Sequence, residues 1–203
     1  MQKVLFIGAH PDDIELGCGA TITKYVTFWE IRCIILSRND EDPQHISLID
    51  ELNKSLKELG VKAENITIGN FRTRYFDLCR QEIRDFLLKQ RKGFDPDAVF
   101  THAFSDMHQD HVVTSQEVQR IFRETSLFGF EIDEIETQII IALYIGLSAK
   151  DVEAKIRALS QYETYKNKAY FKPEVIKSLL TTRGVGIEAQ FAEAFEVYKL
   201  VIR

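Results

Sequence analysis

The sequence predicts an α/β domain, a mostly parallel sheet covered by helices. Three observations predict it. Short apolar runs alternate with segments of helical spacing through residue 125, the alternation that builds right-handed βαβ units. The runs are continuously apolar, as strands buried on both faces are. Two of them are followed by His/Asp clusters, and parallel sheets bind ligands beyond the carboxyl ends of their strands.

Val4–Ile7 is the first buried strand, and Leu16–Tyr25 follows as a helix that Gly17 and Gly19 weaken at its start. Ile31–Leu36 is a second buried strand. Ser47–Leu59 carries apolar residues at 48, 49, 52, 56 and 59, a helical spacing, and Gly60 stops it. Ile66–Ile68 is a short strand. Asp77–Lys92 is a helix with apolar positions 79, 83, 86 and 87, ending before Gly93. Asp95-Pro96-Asp97 turns into the strand Ala98–Thr101, and Val112–Arg123 is helical. The apolar, β-branched run Gln138–Tyr144 reads as a strand and Lys150–Tyr165 as a helix. Pro173 opens a helix to Leu180, and Phe195–Ile202 is a late strand. No repeat, low-complexity stretch or linker divides the chain, so residues 1–203 are expected to form one domain.

Composition narrows the function classes. Of the 203 residues 45% are hydrophobic and 28% charged, which argues against a disordered or collagenous chain. Lys and Arg total 26 against 31 Asp and Glu, a net charge of −5. That balance argues against broad nucleic-acid binding, which needs a basic surface to neutralise phosphates. Cys18, Cys33 and Cys79 form no CxxC pair, so neither a disulfide framework nor a thiolate zinc site is indicated. No apolar run reaches the roughly 20 residues of a membrane span. The N-terminus lacks a signal-peptide pattern, and the expected location is cytoplasmic.

The polar clusters carry the chemistry. Ala9-His10-Pro11-Asp12-Asp13 and Gly17-Cys18-Gly19 follow the first strand, and His108-Gln109-Asp110-His111 follows the fourth. A lone His or Asp is usually a turn residue or a helix cap. Two such clusters at one end of a sheet are a different pattern. Imidazole plus carboxylate is an ordinary Zn²⁺ ligand set, and a catalytic site keeps three protein ligands and an open position. A dinucleotide site fits poorly. The third glycine is missing, Pro11 removes an amide donor, and Asp12 and Asp13 would repel a pyrophosphate.

With AHPDDIELGCG at 9–19 and HQDH at 108–111, the chain resembles the PIG-L/LmbE-type zinc-dependent de-N-acetylases. DAVFTH at 97–102, SLFGFEI at 126–132 and RGVGIEAQFAEAFEV at 183–197 extend the resemblance over almost the whole chain. It implies an LmbE-like, Rossmann-like three-layer sandwich. It implies one Zn²⁺ per chain held by His10, Asp13 and His111, with Asp12 as general base. His108 corresponds to the histidine that polarises the substrate carbonyl, as a protonated donor, and Asp110 is expected to orient one of the two histidines beside it. The expected reaction removes an N-acetyl group from a small-molecule N-acetyl amino-sugar substrate. An amidase of thiol-sugar conjugates on the same site is the nearest alternative, and a non-catalytic metal- or sugar-binding module and a metal phosphoesterase are further ones. Relatives are often homo-oligomers, which leaves a homo-oligomer open, with the segment after residue 135 available for an interface.

The chain also departs from the family pattern. Many relatives carry a substrate-associated arginine where Leu48 stands, although Glu51 is kept. Arg38, Arg72 or Arg74 would then replace the missing substrate contact. Arg183 and Glu193 of the C-terminal motif are candidates for lining or supporting the pocket, against a packing role. His102 and His45 fall outside the ligand pattern.

Overall fold

The computed structural model describes residues 1–132 and 139–202. Gln138 and the residues 133–136 of the acidic run at 131–136 lie outside the described residues. In chain order the elements are β1 (Gln2–Gly8), α1 (Asp13–Tyr25), β2 (Trp29–Ile35), α2 (Leu48–Glu58), β3 (Ile66–Ile68), α3 (Arg80–Gly93) and β4 (Ala98–His102). Then come α4 (Gln109–Ile121), β5 (Ser126–Phe130), β6 (Leu143–Leu147), α5 (Ala149–Leu159), α6 (Pro173–Val185) and β7 (Phe191–Lys199).

The sheet runs β3-β2-β1-β4-β5-β7-β6. The first five strands in that order pair parallel, while β7 is antiparallel to both β5 and β6. From β1 the chain steps outward to β2 and β3, and from β4 it steps the other way to β5. Right-handed crossovers in opposite directions must lie on opposite faces. Accordingly α1 and α2, with α5 and α6, pack on the face of Val4, Phe6, Cys33 and Phe100. Helices α3 and α4 pack on the face of Leu5, Ile7, Ile34 and Val99. Strand alternation supplies both cores from one run, and Val4, Phe6, Ile7 and Val99 are fully buried. The result is the expected Rossmann-like three-layer sandwich. The strand order reverses between β1 and β4, which makes that crevice the switch point where ligands bind.

Several elements differ from expectation. Both helices beside the switch point start three residues early, because Asp12 and His108 are their N-cap residues. Asp13 and His111 therefore sit in first helical turns, with His10 in the loop before α1. Helix α5 stops at Leu159 and residues 163–165 form a separate short turn. Strand β5 was not anticipated: Gly129 weakens a strand pattern. Here glycine is required, since a Cβ at 129 would lie 2.8 Å from Ala103 Cα. Leu48, at the position of the family's arginine, is wholly buried in the α2 core with Leu52 and Leu56. Glu51 accepts from Ser47 Oγ and from Thr164 N–H and Oγ. Among the described residues no helix is long and apolar enough to cross a membrane.

Candidate active site

The loops after β1 and β4 meet at the switch point and form the floor of a cavity of about 450 Å³. His10, Asp12, Asp13, His108 and His111 line that floor. The loop after β3 adds Arg72, Thr73, Arg74 and Tyr75, the loop after β2 adds Asn39, Glu41, Asp42 and His45, and Tyr165 and Lys168 close the side. Among the described residues, three of the four non-glycine residues with positive φ line this cavity: Asp12 (95°), Asn39 (51°) and Arg74 (69°). Such backbone strain persists where surrounding contacts over-determine it, and it concentrates at functional sites.

Each expected ligand histidine hands its far nitrogen to a carboxylate. His10 Nε2–H donates to Asp110 Oδ2 at 2.9 Å, and His111 Nδ1–H donates to Asp106 Oδ2 at 2.9 Å. These bonds leave His10 Nδ1 and His111 Nε2 facing Asp13, at 3.7 Å from Oδ2 and 3.5 Å from Oδ1. Tetrahedral zinc bonds of about 2.05 Å separate neighbouring donors by roughly 3.4 Å, so both pairs fit such an ion. Among the described residues, two sets of donor atoms fall within 4.8 Å of one another: His10, His108 and His111, and Asp13, His102 and His111. His111 is common to both, and the triad His10, Asp13 and His111 spans them as pairs, not as one closed set.

Electrostatics favour a cation here. Burial opposes charge on His111, but Asp13 and Asp106 outweigh it and raise the imidazole to about 10. Burial likewise opposes ionisation of Asp13, yet His111 and His102 hold its carboxyl well below the usual range. Burial and the His111 charge bring His102 down to about 4. His108 accepts the Asp110 N–H at Nδ1, 3.2 Å, and burial with His111 lowers its pKa. With Nδ1 accepting, Nε2 is the nitrogen left to donate toward the cavity.

The structure reassigns the carboxylates. Asp110 serves His10 and the Arg74 N–H (2.6 Å), and neither neighbouring histidine takes its side chain. The carboxylate on His111 is Asp106, which also accepts the His108 N–H at 2.8 Å. Nothing in the local pattern singled out Asp106, although its place five residues before His111 is the available signal. Arg72 and Arg74 line the cavity. Arg38 and Arg183 are not among its lining residues: Arg38 pairs with Asp40 at 2.8 Å, and Arg183 is held by Glu131. Glu193 is a packing element, accepting from Ala20 N–H, Thr21 N–H and Lys155 beneath α1. Three residues on, Glu196 faces the opposite side of β7 and accepts from Phe104 N–H and Ser105 Oγ, bracing the loop that bears Asp106.

A doubly wound sheet with imidazoles and carboxylates gathered at its switch point defines an LmbE-like α/β protein. Residues 5–122 match the family model PIG-L, GlcNAc-PI de-N-acetylase, and the chain belongs to that family. A curated relative from Escherichia coli K12, the uncharacterized deacetylase YaiS, is 25% identical over 170 residues, covering 80% of this chain and 91% of the relative. The N,N'-diacetylchitobiose deacetylase of Pyrococcus horikoshii superposes with a TM-score of 0.74 at 19% identity, over 97% of this chain and 83% of that one. GalB, the 4-carboxy-2-hydroxymuconate hydratase of Pseudomonas putida, reaches 0.76 at 13% identity over 100% and 98%. These structural likenesses share the fold alone, and a hydratase among them means that the reaction must be argued from the site.

Proposed function

We propose that the protein is a zinc-dependent hydrolase that removes the N-acetyl group from a small N-acetyl amino-sugar substrate. One observation carries this reading: two imidazoles, each oriented by a carboxylate, converge with Asp13 on a floor that also presents Asp12. Family membership supports it. A bound zinc ion supplies Lewis acidity that makes water nucleophilic near neutral pH and polarises an amide carbonyl.

The chain's own residues do the rest. Asp106 and Asp110 orient the His111 and His10 rings, so that His111 Nε2 and His10 Nδ1 are the nitrogens turned toward Asp13. Asp12 takes a proton from the attacking water and returns it to the leaving amine, so one water adds across the amide and acetate and a free amine leave. The Nε2–H of His108 faces the developing oxyanion; loss of one such donor costs on the order of 3 kcal/mol of barrier. Arg72 is braced on the Tyr75 ring at 4.2 Å and contacts the sugar from the cavity wall.

The test is metal analysis of the purified protein together with acetate release from N-acetylglucosaminyl compounds. One zinc per chain and an inactive, zinc-retaining Asp12→Asn variant are expected. A protein that binds no metal, or an Asp12→Asn variant of undiminished activity, overturns the reading.

A further inference from the structure

We propose that His102 is a positioning residue of the metal centre, holding the Ala9 N–H so that His10, Asp13 and His111 keep their places. The inference rests on the metal reading given above. The β1–β4 ladder pairs Val4 with Ala98 through Phe6 with Phe100 and goes no further. Beyond it the strands part to open the switch point, and the Ala9 N–H finds its acceptor in a side chain at the end of β4 and not in the β4 backbone. His102 Nε2 accepts it at 2.9 Å. The bonded amide belongs to the residue immediately before His10, so this contact sets where the ligand loop leaves the sheet.

The same ring touches the other two ligands. His102 lies flat on His111, with centroids 3.8 Å apart and planes 12° apart, and it backs onto Phe130 at 4.9 Å. Its Nε2 is 3.2 Å from Asp13 Oδ2. Although His102 falls in a donor set with Asp13 and His111, its Nε2 lone pair is already committed to Ala9, which removes that nitrogen as a ligand. The proton then resides on Nδ1, a buried atom with no hydrogen-bond partner. A buried donor left unpaired is costly, a cost set against the Ala9 hydrogen bond and the stacking on His111. A carboxamide two carbons from Cβ also places an oxygen near the Nε2 position, which makes His102→Gln the conservative variant.

The experiment measures zinc affinity by chelator competition, and hydrogen exchange of the Ala9 amide in the metal-free protein, for wild type, His102→Gln, His102→Leu and His102→Asn. The Leu variant is expected to bind zinc about 10- to 100-fold more weakly and to lose Ala9 amide protection, with the Gln variant within about threefold of wild type on zinc. Asn, too short to reach Ala9, behaves like Leu and supplies the same comparison if Leu does not fold. Zinc affinity of Leu or Asn equal to wild type overturns the inference. So does a Gln variant as weak as Leu, because packing on His111 would then be the whole effect. A wild-type protein that binds no zinc overturns the proposed function and this inference together, a result distinct from tight zinc binding by every variant.

Discussion

His10 Nε2 lies 2.9 Å from Asp110 Oδ2, a contact between residues 100 positions apart. The same oxygen accepts the N–H of Arg74 at 2.6 Å. One carboxylate oxygen thus ties an expected metal ligand to the loop that lines the cavity wall. Asp110→Asn should weaken zinc binding about 10- to 100-fold and raise the substrate KM as well. Chelator competition and steady-state kinetics on the one variant check both parts.

Asp12 trades stability for its position. Its φ of 95° costs roughly 1–3 kcal/mol, and glycine would relieve it at an entropic cost of about 0.5–1 kcal/mol. Asp12→Gly is expected to melt about 2–4 °C higher while losing activity. A variant that melts lower would show that the left-handed turn is unstrained.

The arginines separate by location. Arg72→Ala should raise KM with kcat nearly unchanged, the signature of lost uniform binding. Arg38→Ala and Arg183→Ala should leave KM alone, since those side chains engage Asp40 and Glu131. Kinetics on one N-acetylated substrate for the three variants settles the ranking.

Glycine at 17 is a packing requirement. Alanine is the better helix former, yet its Cβ would stand 2.3 Å from the Phe130 ring. Gly17→Ala is expected to destabilise by about 2 kcal/mol, a fall of roughly 4–8 °C in Tm, readable by thermal melting.

Glu117 clasps α3 to α4, accepting from Arg80 at 2.9 Å and from Arg84 at 2.7 Å. Burial opposes its charge, but the two guanidiniums prevail and its pKa is lowered. A depressed carboxylate stabilises above its unfolded pKa, about 4.3, and loses that contribution as pH falls through the folded value. Urea unfolding at pH 7 should find Glu117→Gln weaker by about 2 kcal/mol. The gap should close as the pH is lowered from 5 to 3.

Much of the fold was legible because its signals are local. Apolar runs such as Val4–Ile7 and the four-residue spacing of Leu48, Leu52 and Leu56 mark elements without reference to anything distant. The misplaced boundaries have local causes of another kind. Motif residues double as helix caps at Asp12 and His108, and a glycine in β5 disguises a strand. Arg183 could not be placed from its motif, because its partner, Glu131, is 52 residues away.

By itself the sequence determined that the two His/Asp clusters share one end of a parallel sheet, and that they resemble those of a family of de-N-acetylases. Each is a property of short stretches: residue type, order and distance from a buried strand. Only the tertiary structure decided which carboxylate serves which imidazole, that His108 Nδ1 accepts the Asp110 amide, and that His102 holds the Ala9 amide. Those are matters of ångströms between loops brought side by side where β1 and β4 part. Hydrogen bonds are directional and short, so their partners are set by how the layers pack.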